Sequence, residues 1–471
     1  MQTSQMPVAL KVHGFARFGE WLRQHHRLIG YVQWSVVCLY AFLIIVPVFL
    51  PLPPDSAHIW SNLTLIAQFA FWGIWWPFVL FSIVFMGRIW CGILCPEGTL
   101  TEFASRYGRG GSVPRWMRWA GWPFVAFVLT TVYGQLISVY QYPKAVLLIL
   151  GGSTIGAVIV GYLYGKNKRV WCRYLCPVSG VFALLAKLSP LHYKVNPLAW
   201  KASYGKKSHA DTNAVVSVNC APLLPLRHMQ GAADCHMCGR CSGYKGAITL
   251  QERPFGEEVI DQQKARATFW ESLLIVFGLC GVAIGAFHWT ASPWCIALKQ
   301  TLAEWCVGHD IWWPLSTNAP WWLLTQYPLN NDVFSWLDGT VIVVYIALTA
   351  LLLGAALSAC MAIAVRLTGP WSVQRFHHLV QSLIPIGGCG VFLGLSATTV
   401  SLLRAEHVNL DWVPVIRMML LAIASVWSLW LAMRIIANTV SSYTARCMAL
   451  LPVLMALGVL NGAWVLLFAV W

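Results

Sequence analysis

Arg88-Ile89-Trp90-Cys91-Gly92-Ile93-Leu94-Cys95-Pro96 and Arg169-Val170-Trp171-Cys172-Arg173-Tyr174-Leu175-Cys176-Pro177 match in register at Arg, Trp, Cys, Leu, Cys and Pro, and each follows a long apolar run. The chain therefore carries one pair of thiols twice, both times just beyond a hydrophobic segment. If the motif is helical, Cys91 and Cys95 share a face with about 5–6 Å between Cβ atoms, so both sulfurs reach one metal centre. The proline that follows pushes the second cysteine's backbone out of the helical region. A single Cys-x-x-x-Cys pair also reads as two small buried hydrophobes. Two copies with the same Arg, Trp and Pro flanks point instead to a thiolate site at a membrane edge.

The rest of the 471 residues is 58% hydrophobic and 10% charged, with a mean hydropathy of +0.63. This composition excludes a water-soluble globule and indicates a polytopic membrane protein. Apolar runs of roughly 20 residues, the length that crosses a hydrocarbon core, fall at 31–51, 63–87, 119–141, 146–164, 268–290, 338–363, 378–402, 413–437 and 449–470. The expected fold is thus all-α and polytopic, with about nine transmembrane helices. Residues 1–30 carry Lys11, Arg17, Arg23 and Arg27 and lack a small-residue cleavage pattern after the first run, which reads as an anchor. With that N-terminus inside, all Lys and Arg except Lys144, Lys299, Arg404 and Arg417 fall on inward segments, as the positive-inside rule requires. The C-terminus is then outside, and the +15 net charge is an orientation signal rather than a nucleic-acid footprint.

The organisation follows from these runs. Residues 31–177 form two transmembrane hairpins, each ending in a Cys-x-x-x-Cys-Pro motif on the same side of the membrane. Residues 178–267 are the main extramembrane insertion. It opens on the apolar Val181-Phe-Ala-Leu-Leu-Ala, expected along the interface, and so small a domain gains stability from a metal centre. Residues 268–471 supply five further helices. Their outer loop, 291–337, holds Trp294, Trp305, Trp312, Trp313, Trp321 and Trp322, a composition suited to an interfacial aromatic belt. Cys295 and Cys306, eleven apart in that loop, are a candidate disulfide if it faces an oxidising compartment.

The insertion adds Cys235-His-Met-Cys238-Gly-Arg-Cys241, with Cys220 upstream. This resembles the ferredoxin fingerprint Cys-x-x-Cys-x-x-Cys-x-x-x-Cys-Pro, but Lys245 and Gly246 stand where the fourth cysteine and its proline would be. Either Cys220 or a cysteine from a Cys-Pro motif completes the set. Our working assignment puts Cys91, Cys95, Cys172 and Cys176 on one cluster and Cys220, Cys235, Cys238 and Cys241 on the other. Four thiolates also suit structural zinc.

Over about 31–255, the duplicated Cys-x-x-x-Cys-Pro motif followed by a ferredoxin-like segment resembles the membrane polyferredoxin family. That family includes the membrane subunit linking quinol to periplasmic nitrate reductase, the electron donor of nitrous oxide reduction and a copper reductase of oxidase assembly. The resemblance implies two 4Fe-4S clusters at the cytoplasmic face of a bacterial inner membrane. It further implies electron relay between quinol or quinone and a redox partner protein, the chain being the electron-transfer subunit of an oxidoreductase complex with no catalytic residue of its own. A metal (copper) reductase or assembly factor and a redox-sensing transporter are the alternatives.

Other residues invite weaker readings. A haem b needs axial histidines at matching depth on two helices, and His288, His377, His378 and His407 offer no evident pair. Ser396-Ala-Thr-Thr399 faintly resembles a flavin-attachment sequence but lies in an apolar run. Glu271, Gln68 and Gln135 are candidates for a proton route or a quinone headgroup, and Arg88 and Arg169 for stabilising a thiolate-bound cluster.

Overall fold

The computed structural model describes residues 14–54, 56–205, 218–229, 231–261 and 267–471, so Lys11 lies outside it. Among the described residues, eight helices are long and apolar enough to cross a membrane: His26–Phe49, Leu63–Met86, Pro143–Tyr164, Phe269–His288, Trp336–Leu367, Val373–Ala405, Val413–Thr439 and Tyr443–Val470. The shorter apolar helix Trp122–Leu136 stands where the third expected run falls. Its 15 residues span about 22 Å at 1.5 Å per residue, less than a ~30 Å hydrocarbon core. Ser138, held at φ 50°, ends it. The chain is an all-α polytopic membrane protein, with strand among the described residues confined to two short two-stranded sheets.

The loops sort to two ends of the bundle. At one end His58 and the Ile59 N–H bond to Glu406, the Tyr142 hydroxyl donates to Asp332 at 2.6 Å, and Thr325 N–H donates to the Leu136 carbonyl at 2.9 Å. At the other end lie both cysteine motifs, the insertion and the N-terminal segment. Between the ends the helices approach closely where side chains are small. A Cβ on Gly281 would stand 2.9 Å from Ala350 Cα, and one on Gly285 would stand 3.0 Å from Ile346 Cα. This Gly-x-x-x-Gly stripe lets Phe269–His288 lie directly against Trp336–Leu367. That fifth span is 72% buried, the central helix of the second half.

Three further expectations change. The first span begins at His26, not near 31; it is preceded by the helix Gly14–Gln24, which docks on the insertion, with Gly19 against Leu250, Ser242 and Tyr193. Val181–Ala186 does not lie along the interface: in the helix Ser179–Ala186, Val181, Phe182, Leu184, Leu185 and Ala186 are buried, because the surrounding spans leave an apolar slot there. The outer loop 291–337 contains the helix Pro293–Gly308, capped by Ser292. That helix rules out a Cys295–Cys306 disulfide. Eleven helical residues separate the α-carbons by about 16 Å, far beyond the roughly 7 Å limit for a bridge, and both thiols are free and buried. Trp294, Trp305, Trp312, Trp313, Trp321 and Trp322 are all exposed, as a belt at the membrane surface requires, and Trp336 at the start of the next span is half-buried.

Candidate functional site

Each motif makes a short helical turn beyond its span and leaves it at the second cysteine. The Cys95 N–H donates to the Trp90 carbonyl at 2.8 Å, and the Cys176 N–H donates to the Trp171 carbonyl at 3.1 Å. These matching i→i+5 bonds make the turns wider than the regular helix anticipated from the spacing. Pro96 holds Cys95 extended (φ −70°, ψ 117°), and Cys95 then caps the helix Pro96–Arg106, its Sγ accepting from the Gly98 N–H at 3.4 Å. Cys91, Cys95, Cys172 and Cys176 line one end of a cavity of about 240 Å³.

The other group forms on the insertion. Strand β1 (Leu191–Val195) pairs antiparallel with β2 (Ile248–Glu252), Tyr193 opposite Leu250, and the cysteine loop packs on this sheet. Positive φ at Met237 (52°), Gly239 (76°) and Gly243 (72°) winds the loop tightly. Where a ferredoxin would place its fourth cysteine, Lys245 adopts φ 55° in a turn leading into β2. Cys220, Cys235, Cys238 and Cys241 line a second, small cavity. The loop is anchored by Glu258, which accepts from the Ala232 N–H at 2.7 Å and pairs with Arg253 at 2.8 Å in full burial. Among the described residues, no three His, Cys, Asp or Glu side chains converge closely enough for one metal ion. A multi-iron core, whose thiolates bind different iron atoms, does not need such convergence.

The two sites touch. A Cβ on Gly92 would stand 2.0 Å from the His236 carbonyl oxygen and 2.9 Å from Cys238 N, which explains glycine where the second motif has Arg173. The fully buried Arg169 pairs with Glu102 at 2.8 Å and donates to the Cys91 and Gly92 carbonyls. Arg88 donates to Ala233 O at 3.0 Å and Ser179 Oγ at 3.1 Å. Glu102 also binds Arg240, beside Cys238 and Cys241, at 2.7 Å. Burial opposes ionisation of Glu102, but Arg169 and Arg240 outweigh it and hold the carboxyl below the usual range.

Burial raises Cys95, Cys172 and Cys176 in one group and Cys220, Cys235 and Cys241 in the other. Cys172 and Cys235 are each pushed up to about 12, with Arg169 and Arg88 the respective nearby cations working against the rise. His236 is driven well below its usual value by burial and by Arg88, Arg169 and Arg173, so it is neutral. Buried thiols beside fixed guanidinium groups fit an anionic, thiolate-bound cluster, which displaces the thiol protons on binding and leaves its charge facing the arginines.

The remaining candidates are placed elsewhere. Glu271 pairs with Lys187 at 2.6 Å, Gln68 donates to Tyr140 O at 2.6 Å, and Gln135 accepts from Trp289 Nε1 at 2.9 Å; none lines the large cavity. His377 meets Ser272 Oγ at 2.9 Å, whereas His288 sits at the opposite end of the same span against Trp464 and Trp471. Sixteen helical residues, about 24 Å, separate those levels, so these histidines do not form an axial haem pair. Ser396 donates to Leu393 O at 2.6 Å and Thr399 packs on Gly73, which is helix packing. Sequence reasoning missed Glu97, which lines the cavity and accepts from Trp171 Nε1 at 3.1 Å. Its place directly after Cys95-Pro96 was the available signal.

Comparison with known proteins agrees with this geometry. The family described as 4Fe-4S binding domain matches residues 68–119 and 147–196, one copy around each Cys-Pro motif. The chain is 27% identical over 220 residues to the regulatory protein NosR of Pseudomonas aeruginosa, covering 41% of this chain and 28% of that one. It is 25% identical over 233 residues to the putative electron transport protein YccM of Escherichia coli, covering 44% and 62%. The chain thus spans less than two thirds of either relative. No solved structure matches it. Two matches to the 4Fe-4S binding domain, set into a bundle of membrane helices, make this chain similar to membrane iron–sulfur proteins.

Proposed function

We propose that the chain relays electrons between a quinol pool and a redox partner protein in a bacterial inner membrane, with its N-terminus and clusters on the cytoplasmic side. One 4Fe-4S cluster is assigned to Cys91, Cys95, Cys172 and Cys176, and the other to Cys220, Cys235, Cys238 and Cys241. The observation that carries this reading is the gathering of eight buried or half-buried thiols into two groups of four that meet at Gly92 and His236. Each cluster, when bound, takes up and releases one electron. Oxidation of one quinol to quinone releases two protons and two electrons, one for each cluster. The protein's own part is to hold the thiols, keep water from the first site and set local charge through Arg88 and Arg169. Docking of the N-terminal helix on the insertion puts the chain's start beside both sites, which supports the inward assignment of the basic segments. The name of the YccM relative, a putative electron transport protein, points the same way.

Anaerobic purification with iron and sulfide quantitation, followed by electron paramagnetic resonance during a quinol titration, tests the proposal. Iron and sulfide for two clusters, reduced by quinol or reoxidised by quinone, is the expected result. Protein carrying zinc, or clusters inert to quinone but oxidised by copper ions, refutes the quinol relay.

A further inference from the structure

The large cavity extends well beyond its cysteines. Along the second span its lining runs from Phe71 to Leu80, about 14 Å at the helical rise of 1.5 Å per residue, and Trp90 folds back to lie 5.1 Å from Trp75, ring centre to ring centre. That length is more than one cluster held by four thiolates needs. About a third of the lining residues are aromatic, among them Trp72, Trp75, Trp76 and Tyr140, and many of the others are aliphatic. The fourth span, which contributes Ile149, Leu150 and Ser153, is only 17% buried, so a single helix separates this side of the cavity from lipid. Polar atoms gather toward the cysteine end. Glu97 accepts from Trp171 Nε1 at 3.1 Å, Ser153 lines the same wall, and the Tyr40 hydroxyl meets Thr154 Oγ1 at 3.0 Å. Neither histidine nor methionine lines the cavity, so it lacks the ligands that a copper ion favours beyond its cysteines.

The geometry points to this cavity as the binding site of an isoprenoid quinol or quinone, its ring at the cysteine end beside Glu97 and Ser153 and its tail along the tryptophan-lined length. This rests on the quinol relay proposed above and adds the site. A flat, lipid-soluble molecule suits an apolar aromatic chamber at membrane depth, and a ring oxygen suits the few polar groups placed beside the first cysteine group. The assignment also gives the second half of the chain a part in the function. Ala283 and Phe287 of the fifth span and Val391 and Leu395 of the seventh close the far wall, so two of the five later helices complete a chamber whose cysteines belong to the first half.

Binding is read with the cluster-loaded protein in lipid nanodiscs, by quenching of tryptophan fluorescence with a short-chain quinone and by photolabelling with an azido-quinone. Saturable quenching and label within 122–164 or 63–96 are expected. Thr131→Phe and Ser153→Phe, which fill the chamber, are each expected to weaken binding more than about tenfold while iron content is retained. Glu97→Gln is expected to weaken quinol binding by about tenfold, the loss of one hydrogen bond to a charged group. Non-saturable quenching, or binding unchanged in both filling variants at full iron content, overturns the site. Should quinone fail to bind while dithionite-reduced clusters still pass electrons to an acceptor, the site falls and the relay stands. Should quinone bind saturably while the clusters exchange no electrons with it, the relay falls and the site stands.

Discussion

Gly92→Ala drives apart the two cysteine groups at the one point where their backbones meet. The added methyl would lie 2.0 Å from the His236 carbonyl oxygen, 2.9 Å from Cys238 N and 3.1 Å from Cys238 Cα. Relief needs a shift of about 1 Å in backbone, because ordinary carbon–oxygen contact begins beyond about 3 Å. Neither side yields easily. The first strand of the contact is held by Arg169 and by Gln33, whose Nε2 donates to Gly92 O at 3.0 Å. The second is held through Glu258 at Ala232 and by the packing of Cys235 and Met237 on the insertion core. Overpacking of this kind costs about 1–3 kcal/mol. The expected result is a lower melting temperature by size-exclusion fluorescence, together with weaker magnetic interaction between the reduced clusters in paramagnetic resonance. Arg173, the matching residue of the second motif, is a control: it pairs with Asp234 at a half-exposed surface, so Arg173→Gly is expected to cost less than about 1 kcal/mol. A Gly92→Ala protein with the melting temperature and spectrum of the parent would refute the contact as drawn.

Further expectations concern the charges and ligands around the same point. Arg169→Met leaves Glu102 without its buried partner and is expected to destabilise by about 3–5 kcal/mol, with partial recovery when Glu102→Met is added; thermal melts of the single and double variants check this. Because the Glu102 carboxyl is held below its usual range in the fold, its ionised form contributes stability above the unfolded value of about 4.3. That contribution is lost as pH falls through the lower folded value. Melting followed from pH 6 downward should therefore steepen in the acid range for the parent and less so for Glu102→Gln. Cys172→Ser and Cys238→Ser are each expected to lose one cluster's iron and keep the other's. A Cys220→Ser protein with full iron and an unchanged spectrum would show that Cys220 is not a ligand.

The spans, the all-α class and the thiol chemistry were legible because they depend on local properties. Hydropathy over about 20 residues reads membrane depth directly, and the repeated Arg-x-Trp-Cys-x-x-Leu-Cys-Pro is a short-range pattern. The candidate Cys295–Cys306 bridge failed because spacing alone does not reveal the helix that holds those residues about 16 Å apart. Glu271, Gln68 and Gln135 drew attention as polar residues in or beside apolar runs, yet each is engaged by a partner at least 72 positions away.

From the sequence alone came the nine apolar runs, their expected orientation and the eight thiols. Only tertiary structure brings Cys91 and Cys95 together with Cys172 and Cys176, sets Gly92 against His236, buries Arg169 between Glu102 and the Cys91 carbonyl, and closes a chamber with helices from the second half. The physical reason is range. Hydrophobic length and motif spacing are written residue by residue along the chain, whereas packing between segments dozens to hundreds of residues apart depends on which surfaces fit, and a single sequence does not state its partners.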